Sequence, residues 1–457
     1  LFANPYRGSI DTVLVDGREG GAAAPGALVT AGGWALTCGH TPSAVRVRLV
    51  AAAPGAVAAA GARGGSAEGT TDFFIDRPDV WRALQSAVPC GWSTELSTEG
   101  LAPGEYLLDA QVRATPGGQF VTFQRLPFRI APAQDAASIP DAALADFVRE
   151  AEQRLRDDQK PAGYWLTAFT VGPEFGRPYR EMNTFLTAMM ADTLAPVAEQ
   201  AGLRENLARA RQHLAAQIEA DGLVRYHGRP DSPTIPSLGV VITPDADDTA
   251  LAWRIAGNEN DPRLADALAV LKSYRTDEGL YRTWLAPREK FVSIDPGADP
   301  NPPDIAIQMH VLMLLARAQP AEARALYEAL QGAVARDGLW VYYAKTPLVP
   351  ILRQAELAQA GYPLELPPAR LRAEVAGQEP WVAACLALAR PGTSPGETRA
   401  LLKQLAAGDF AAVRHTPPLV YHNDLSAKVS RYYWSADFGY ALWLRLWFGP
   451  ARGGGGP

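Results

Sequence analysis

Three carboxylates lie within four residues in the segment Asp245-Ala246-Asp247-Asp248. Carboxylates this close repel one another, so they are not expected all to be ionised at neutral pH, and they should titrate as a unit. One of them should then hold a proton while its neighbours orient it. In a dry cavity, a neutral carboxylic acid whose conjugate base is stabilised by hydrogen bonds is a strong proton donor. The segment therefore predicts protonation of an alkene or an epoxide.

Acids at helix starts also have a simpler interpretation, because capping and the helix dipole both favour carboxylates there. Four further acids lie at predicted helix starts: Glu181, Asp304, Glu379 and Asp437. Long proline-rich loops lead into these starts, and long loops on a rigid scaffold commonly carry functional sites. For each of the four taken singly, capping is the preferred interpretation. The 245–248 cluster differs, because one capping acid would suffice there.

The chain divides into two regions with different hydrophobic periods. Up to residue 133, apolar residues alternate with polar ones, as over 45–49 and 106–112, and glycine and proline recur about every 8–12 residues. This region loosely resembles the immunoglobulin-like modules attached to bacterial enzymes, so 1–133 is predicted to be an all-β immunoglobulin-like sandwich. Apolar residues follow helical spacing over 134–450, and 451–457 is expected to be a flexible glycine-rich tail.

A repeat runs through the helical region. A glycine followed by an apolar or aromatic residue recurs at Gly163, Gly222, Gly279 and Gly338, at intervals of 57 to 59 residues. Such a period holds two helices with their loops and indicates a repeat architecture. One helix of each pair is amphipathic, and the other, as over 305–316, is apolar nearly all round and should be buried. The region is therefore predicted to form an all-α (α/α)6 barrel whose inner helices start on one rim.

Two motifs resemble those of class II terpene cyclases and squalene–hopene cyclases. Residues 244–251, Pro-Asp-Ala-Asp-Asp-Thr-Ala-Leu, match the DxDDTA motif of these enzymes. Residues 159–165, Gln-Lys-Pro-Ala-Gly-Tyr-Trp, match their QxxxGxW repeat motif. The resemblance covers roughly residues 140–450 and implies the helix-pair β domain of that superfamily.

The resemblance also implies roles for individual residues. In the family, the middle aspartate of the motif protonates the terminal alkene, which here is Asp247, with Asp245 and Asp248 as supporting carboxylates. In squalene–hopene cyclases a histidine hydrogen-bonds the catalytic acid. His310, six residues past Asp304 on the next predicted inner helix, is the candidate for that role. A lone histidine on an apolar helix is alternatively a satisfied core residue.

A cyclase must shelter the carbocation that protonation creates, and aromatic faces do this by cation–π attraction. The substrate-binding candidates are aromatic residues of the helical region and two rim acids: Trp165, Phe185, Trp253, Asp304, Tyr432, Tyr433, Trp434, Asp437 and Phe438. Core packing is the alternative interpretation for each aromatic residue. The 432–434 run is the preferred choice, because it lies beside Asp437 at the predicted rim.

The expected substrate is a prenyl diphosphate. A single predicted ring favours a C15 or C20 chain over a C30 chain. The sequence contains no DDxxD motif, so metal-dependent ionisation of the diphosphate is not predicted. Proton transfer needs no cofactor and no metal site is assigned, but Mg²⁺ is a candidate for assisting diphosphate binding. Five cationic side chains near the predicted rim are further candidates for binding the diphosphate, namely Arg282, Arg288, Lys290, Lys428 and Arg431.

Composition narrows the classes of partner. The net charge of −6 and the pI near 5.7 argue against a nucleic-acid partner, because binding phosphates requires a basic face. No apolar run reaches the roughly 18 residues of a membrane span, and no charged and then apolar leader follows Leu1. These features predict a cytoplasmic protein. The resemblance implies a small isoprenoid substrate. The sequence leaves open a peripheral membrane contact through 442–448 and the oligomeric state.

Two other functions remain open at this point. A β-sandwich followed by an (α/α)6 barrel also suits a glycan-active enzyme, in which Asp247 would work with Asp437 or Asp304 as a pair of catalytic carboxylates. A non-catalytic ring that binds a partner is the third hypothesis, since a fold does not fix a function. A closed aromatic pocket at Asp247 would favour the cyclase, and acids bonded only to their own helix starts would favour the third.

Overall fold

The computed structural model describes residues 5–15, 18–52, 67–84, 87–131, 136–176, 178–229, 242–290, 297–390 and 392–449. Two compact units divide the chain: Leu1–Asp135 together with Ala407–His415, and Ala136–Ala406 together with Thr416–Pro457. The predicted tail, 451–457, lies outside the described residues. Within the described ranges, no helix combines the length and the apolar character needed to cross a bilayer.

Two β-sheets make up most of the first unit. Its elements are β1 (Tyr6–Val15), β2 (Arg18–Glu19), β3 (Ala22–Ala23), β4 (Leu28–Thr37), β5 (Ala44–Ala51), β6 (Glu68–Thr71), α1 (Pro78–Leu84), β7 (Gly91–Ser97), β8 (Gly104–Arg113) and β9 (Val121–Ile130). One sheet has the order β2-β1-β4-β7 and the other β3-β9-β8-β5-β6. Alternate side chains of both sheets, such as Val29 of β4 and Leu108 of β8, share one hydrophobic core. The strands predicted over 45–49 and 106–112 are confirmed.

The second unit contains most of the helices. They are α2 (Leu144–Asp158), α3 (Thr184–Leu194), α4 (Arg204–Gln217), α5 (Ala246–Ala256), α6 (Arg263–Ser273), α7 (Ile305–Ala318), α8 (Pro320–Ala333), α9 (Leu348–Gln359), α10 (Glu379–Ala389), α11 (Pro395–His415) and α12 (Ala436–Phe448). Helices α3, α5, α7, α9, α10 and α12 each pack against the next, and α12 packs against α3, so the six form a closed circle. The backbone of α11 leaves the helical conformation at residues 407–410, where the unit boundary falls.

A third sheet lies within the second unit. Its strands are β10 (Leu166–Thr170), β11 (Tyr179–Met182), β12 (Leu419–His422) and β13 (Tyr432–Trp434), in the antiparallel order β11-β10-β13-β12. The predicted fold class, an all-β immunoglobulin-like sandwich followed by an all-α (α/α)6 barrel, is therefore wrong. Both units combine helices and strands, and the chain is a mixed α/β protein. The missed strands have three to five residues each, too few for a period of two to stand out.

The QxxxGxW motif holds two helices of the second unit together. The Gln159 side-chain amide donates to the backbone carbonyls of Gly163 (3.0 Å) and Asn206 (2.9 Å), which ties the end of α2 to α4. Gly163 has φ = +97°, and a Cβ there would lie 2.4 Å from the Arg209 carbonyl oxygen, so only glycine fits. The Trp165 indole N–H donates to a carbonyl of α2 at 3.0 Å. These contacts are structural, and they fix the turn that leads into β10.

Candidate functional site

The three acids of the 245–248 segment have three different environments at the start of α5. Asp245 is the N-cap, and its Oδ1 accepts a hydrogen bond from the Asp248 backbone N–H at 2.7 Å. The Asp248 side chain is buried close to the Asp245 carboxyl group. Burial first, and then the charge of Asp247, raises the pKa of Asp245 to about 7. Burial and the charge of Asp245 also raise the pKa of Asp248.

The Asp247 side chain takes no part in capping α5 and instead contacts α7. Its side chain remains 15% exposed, and its Oδ1 is hydrogen-bonded to Nδ1 of His310 on α7. Burial raises the pKa of Asp247 to about 7, against the opposing charge of Arg353. The carboxyl group can therefore hold a proton at neutral pH, and part of its surface is accessible. Both properties are required of a general acid.

Arg353 on α9 fixes the tautomer of His310. Its Nε donates to His310 Nε2 at 2.7 Å, so Nε2 must be the accepting nitrogen and the ring proton resides on Nδ1, facing Asp247. Burial, and then the positive charge of Arg353, lowers the pKa of His310 well below its usual value, so the ring is neutral. A neutral imidazole in this tautomer donates a hydrogen bond to Asp247, which stabilises the carboxylate that forms when the acid gives up its proton.

Acidic side chains from two helices hold Arg353 in place. The guanidinium Nη1 lies 2.6 Å from Asp192 Oδ2 on α3 and also contacts Glu356, while Nη2 donates to the Met189 sulfur at 2.8 Å. Asp192 is also paired with Arg254 on α5. Burial alone would raise the pKa of Asp192, but the charges of Arg353 and Arg254 outweigh it and hold that pKa at about 2.

Sequence reasoning missed this network. Arg353 directly follows the apolar run 348–352, on a helix that starts without an acid, so a search for acidic helix starts passed over α9. A usable signal was nevertheless present: an arginine within an otherwise apolar helical stretch is costly to bury unless it is paired.

Asp304 lies near Asp247 but has its hydrogen-bonding capacity filled. It caps α7 by accepting from Ala306 N, and its other oxygen accepts from the backbone N–H groups of Val341 and Tyr342, all at 2.9 Å. Burial raises the pKa of Asp304 to about 7. The backbone hydrogen bonds oppose this shift, and the charge of Asp247 adds to it. Asp304 joins the start of α7 to the loop before α9.

The remaining acids of the predicted rim do not join Asp247. Asp437, in the first turn of α12, is hydrogen-bonded to Asp158 at the end of α2, and burial together with that neighbour raises its pKa. Glu379 begins α10 and is exposed. Glu181 lies on β11 rather than at a helix start, because Asn183 is the residue that caps α3.

Several predicted aromatic contacts are core anchors. The indole N–H groups of Trp165, Trp253 and Trp434 donate to the Leu155 carbonyl, the Gly222 carbonyl and the Thr170 hydroxyl, at 2.7 to 3.0 Å. Phe438 is fully buried in α12, and Tyr432 lies in β13 with its ring 6.0 Å from that of His422. Each of these side chains has a packing role that explains its position.

Phe185 and Tyr433 belong instead to an aromatic cluster beside the Asp247–His310 pair. The Phe185 ring lies 6.1 Å from the His310 ring and 4.9 Å from the Tyr421 ring. Tyr421 stacks on Tyr433 at 4.5 Å, and Tyr226 packs edge-on against both at 6.3 Å. We call Phe185, Tyr226, Tyr421 and Tyr433 the aromatic wall. It offers ring faces and edges close to the acid.

Other features of the unit have less bearing on Asp247. One cavity of about 380 Å³ is lined by residues that include Asp299, Trp340 and Asp424, and Asp247 is not among them. Of the predicted diphosphate-binding cations, Arg282 donates to the Asn301 carbonyl at 2.9 Å. Among the described residues, no three His, Cys, Asp or Glu side chains form a group suited to a metal ion. The apolar residues Leu442 and Trp443 of the 442–448 segment are buried.

Comparisons with known proteins add little to this geometry. No family model and no curated protein matches the sequence. Among solved structures, alpha-2-macroglobulin from Escherichia coli activated by porcine elastase is similar with a TM-score of 0.24 and 13% sequence identity, covering 97% of this chain and 37% of that chain. A TM-score this low carries no argument about fold or function.

The tautomer of His310 can be measured directly. In protein labelled with ¹⁵N-histidine, we expect the His310 ring to show a protonated Nδ1 and an unprotonated Nε2, because Arg353 has only donors to offer. The chain contains six histidines, so a His310→Asn variant identifies the His310 signals by their loss. A protonated Nε2 would contradict the assignment of the network.

Proposed function

We propose that this chain is a protonation-initiated, class II terpene cyclase that acts on a C15 or C20 prenyl diphosphate, with Asp247 as the general acid. One observation carries the proposal. Asp247 is a carboxylic acid with a pKa raised to about 7 and partial exposure, and it faces a neutral histidine whose proton is aimed at it. This arrangement suits an acid that donates a proton to a weak base and leaves a stabilised carboxylate.

The first step follows from this geometry. The π electrons of the terminal alkene form a new C–H bond with the carboxyl proton of Asp247, and a tertiary carbocation remains. The developing carboxylate is stabilised by the N–H of His310 and by the positive charge of Arg353, both already in place. The next alkene of the same chain then attacks the cation and closes a ring. No electrons are gained or lost overall, so the proton transfer needs no redox cofactor.

The aromatic wall supports the proposal at the next stage. A carbocation is attracted to the faces of aromatic rings, by about 0.5–2 kcal/mol per ring. Phe185 packs on the histidine that holds the acid, and Tyr421 and Tyr433 extend the wall from there. A hydrocarbon chain in contact with Asp247 would therefore have ring faces nearby as the charge moves along it.

The competing functions receive less support. A glycan-active enzyme needs a second available carboxylate, but Asp304 already accepts three backbone N–H groups and Asp437 is paired with Asp158. A non-catalytic ring would use its acids only to cap helices, which describes Asp245 but not Asp247. A cytoplasmic location, assistance by Mg²⁺ in diphosphate binding and an isoprenoid partner are parts of the same proposal.

Incubation with farnesyl and geranylgeranyl diphosphate tests the assignment. We expect the wild-type protein to form a cyclised diphosphate with one of these substrates, and Asp247→Asn to lower the rate about 10²- to 10⁴-fold, as loss of a general acid does. Glu379→Gln is the matched control, because Glu379 is an exposed acid at another helix start, and its rate should equal that of the wild type. Equal rates for wild type and Asp247→Asn would refute the role of Asp247.

The rate should also depend on pH in a defined direction. A general acid acts only when protonated, and the pKa of Asp247 is raised to about 7. We therefore expect kcat to be constant well below pH 7 and to fall about tenfold per pH unit well above it. A kcat that rises through this range, as for a general base, would count against Asp247 as the proton donor.

A further inference from the structure

A second polar group, mostly buried, includes a tyrosine whose ring packs against Phe185. It consists of Glu181 on β11, Asn183 at the start of α3, Tyr226 in the turn after α4, and Tyr421 on β12. We call these four residues the Glu181 cluster. The Tyr226 hydroxyl donates to Glu181 Oε1 at 2.6 Å and is also hydrogen-bonded to the Tyr421 hydroxyl.

The hydrogen bonds of the Glu181 cluster run in one direction. Asn183 Oδ1 accepts from the Leu186 backbone N–H at 2.7 Å as the cap of α3, which fixes the orientation of the amide. Its Nδ2 must therefore donate, and the acceptors within reach are the hydroxyl oxygens of Thr167 (2.7 Å), Tyr226 (2.9 Å) and Tyr421 (3.3 Å). Since the proton of Tyr226 is directed to Glu181, the Tyr421 hydroxyl must donate to Tyr226. The protons thus point from Tyr421 through Tyr226 to Glu181.

The last acceptor in this chain of hydrogen bonds is the Glu181 carboxyl group. Glu181 is buried, and its other oxygen lies 3.5 Å from His227 Nε2. Among the other buried acids of the unit, Asp245 caps α5 and Asp304 accepts three backbone N–H groups. Tyr226, which precedes Glu181 in the chain of donors, is partly exposed.

Phe185 contacts both the Glu181 cluster and the histidine that is hydrogen-bonded to Asp247. Its ring contacts the His310 ring, the partner of Asp247, at 6.1 Å, and the Tyr421 ring at 4.9 Å. Tyr433 stacks on Tyr421 and extends the same wall. One aromatic surface therefore runs from the group that donates a proton to a group arranged to receive one.

We propose that Tyr421, Tyr226 and Glu181 together accept the proton that ends the reaction, an inference that rests on the proposed cyclase function. A C–H bond next to the cationic carbon breaks, and its electron pair forms a C=C bond. The released proton passes to the Tyr421 oxygen, the hydroxyl proton of Tyr421 passes to Tyr226, and the hydroxyl proton of Tyr226 passes to Glu181. The cation is thereby neutralised and Glu181 becomes a carboxylic acid. One proton enters at Asp247 and one leaves at Glu181, so the product is a cyclic alkene isomeric with the substrate and not an alcohol.

Product analysis of Tyr226→Phe and Glu181→Gln tests this proposal. With farnesyl and geranylgeranyl diphosphate, we expect the wild type to give one main cyclic alkene. In both variants the ratio of that alkene to isomeric alkenes and alcohols should fall at least about tenfold. The reason is that another base or a water molecule then ends the reaction. Tyr179→Phe is the matched control, because Tyr179 is exposed and stacks on Phe169 outside the Glu181 cluster, and it should keep the wild-type products.

The outcomes separate this inference from the proposed function. If the wild type cyclises the substrate through Asp247 but Tyr226→Phe gives unchanged products, the Glu181 cluster is not the proton acceptor and the cyclase assignment stands. A wild-type product that is an alcohol also overturns the inference alone. If the wild type cyclises neither substrate, the proposed function and this inference fail together. Tyr226→Phe removes one hydroxyl from a partly exposed ring, so it decides the matter even if Glu181→Gln does not fold.

Discussion

The guanidinium of Arg353 is a full charge with a side chain only 1% exposed. Removing one partner from such a buried ion pair typically costs about 3–5 kcal/mol, because the other charge is then left uncompensated. The compensating groups come from different helices: Asp192 on α3 and His310 on α7, with Arg254 of α5 completing the pairing of Asp192. Helices α3, α5, α7 and α9 must therefore keep their relative positions for the charge to be tolerated.

Two acids near the charge of Arg353 have very different pKa values. Asp192 lies between two arginines and has a pKa of about 2, whereas Asp247 faces a neutral histidine and has a pKa raised to about 7. At neutral pH Asp192 is therefore ionised while Asp247 can hold a proton, the pattern by which a protein separates an ionised structural acid from a proton donor. Arg353 acts on Asp247 through His310, since it fixes the tautomer of that ring.

How far the sequence could predict the site depended on whether a feature was local. The crowding of three acids at 245–248 is local, and so is the capping role of Asp245. The contact between His310 and Asp247 spans 63 residues; it was inferred from a resemblance, and the structure brings the two side chains together. The pairing of Arg353 with His310 and the sheet that joins β10 to β13 carry no local periodic signal, so the network was missed and the fold class was wrong. Trp165 and Trp253 were substrate-binding candidates because they are aromatic, and the structure shows that their indole N–H groups donate to backbone carbonyls in the core.

The central claim is that Asp247 transfers a solvent-exchangeable proton to the end of a prenyl chain. Turnover of farnesyl or geranylgeranyl diphosphate in D₂O, followed by NMR and mass spectrometry of the product, measures that transfer directly. The account predicts one deuterium per molecule, on the ring carbon next to the gem-dimethyl carbon, with the diphosphate retained. A cyclic product without deuterium, or one that has lost its diphosphate, would contradict it.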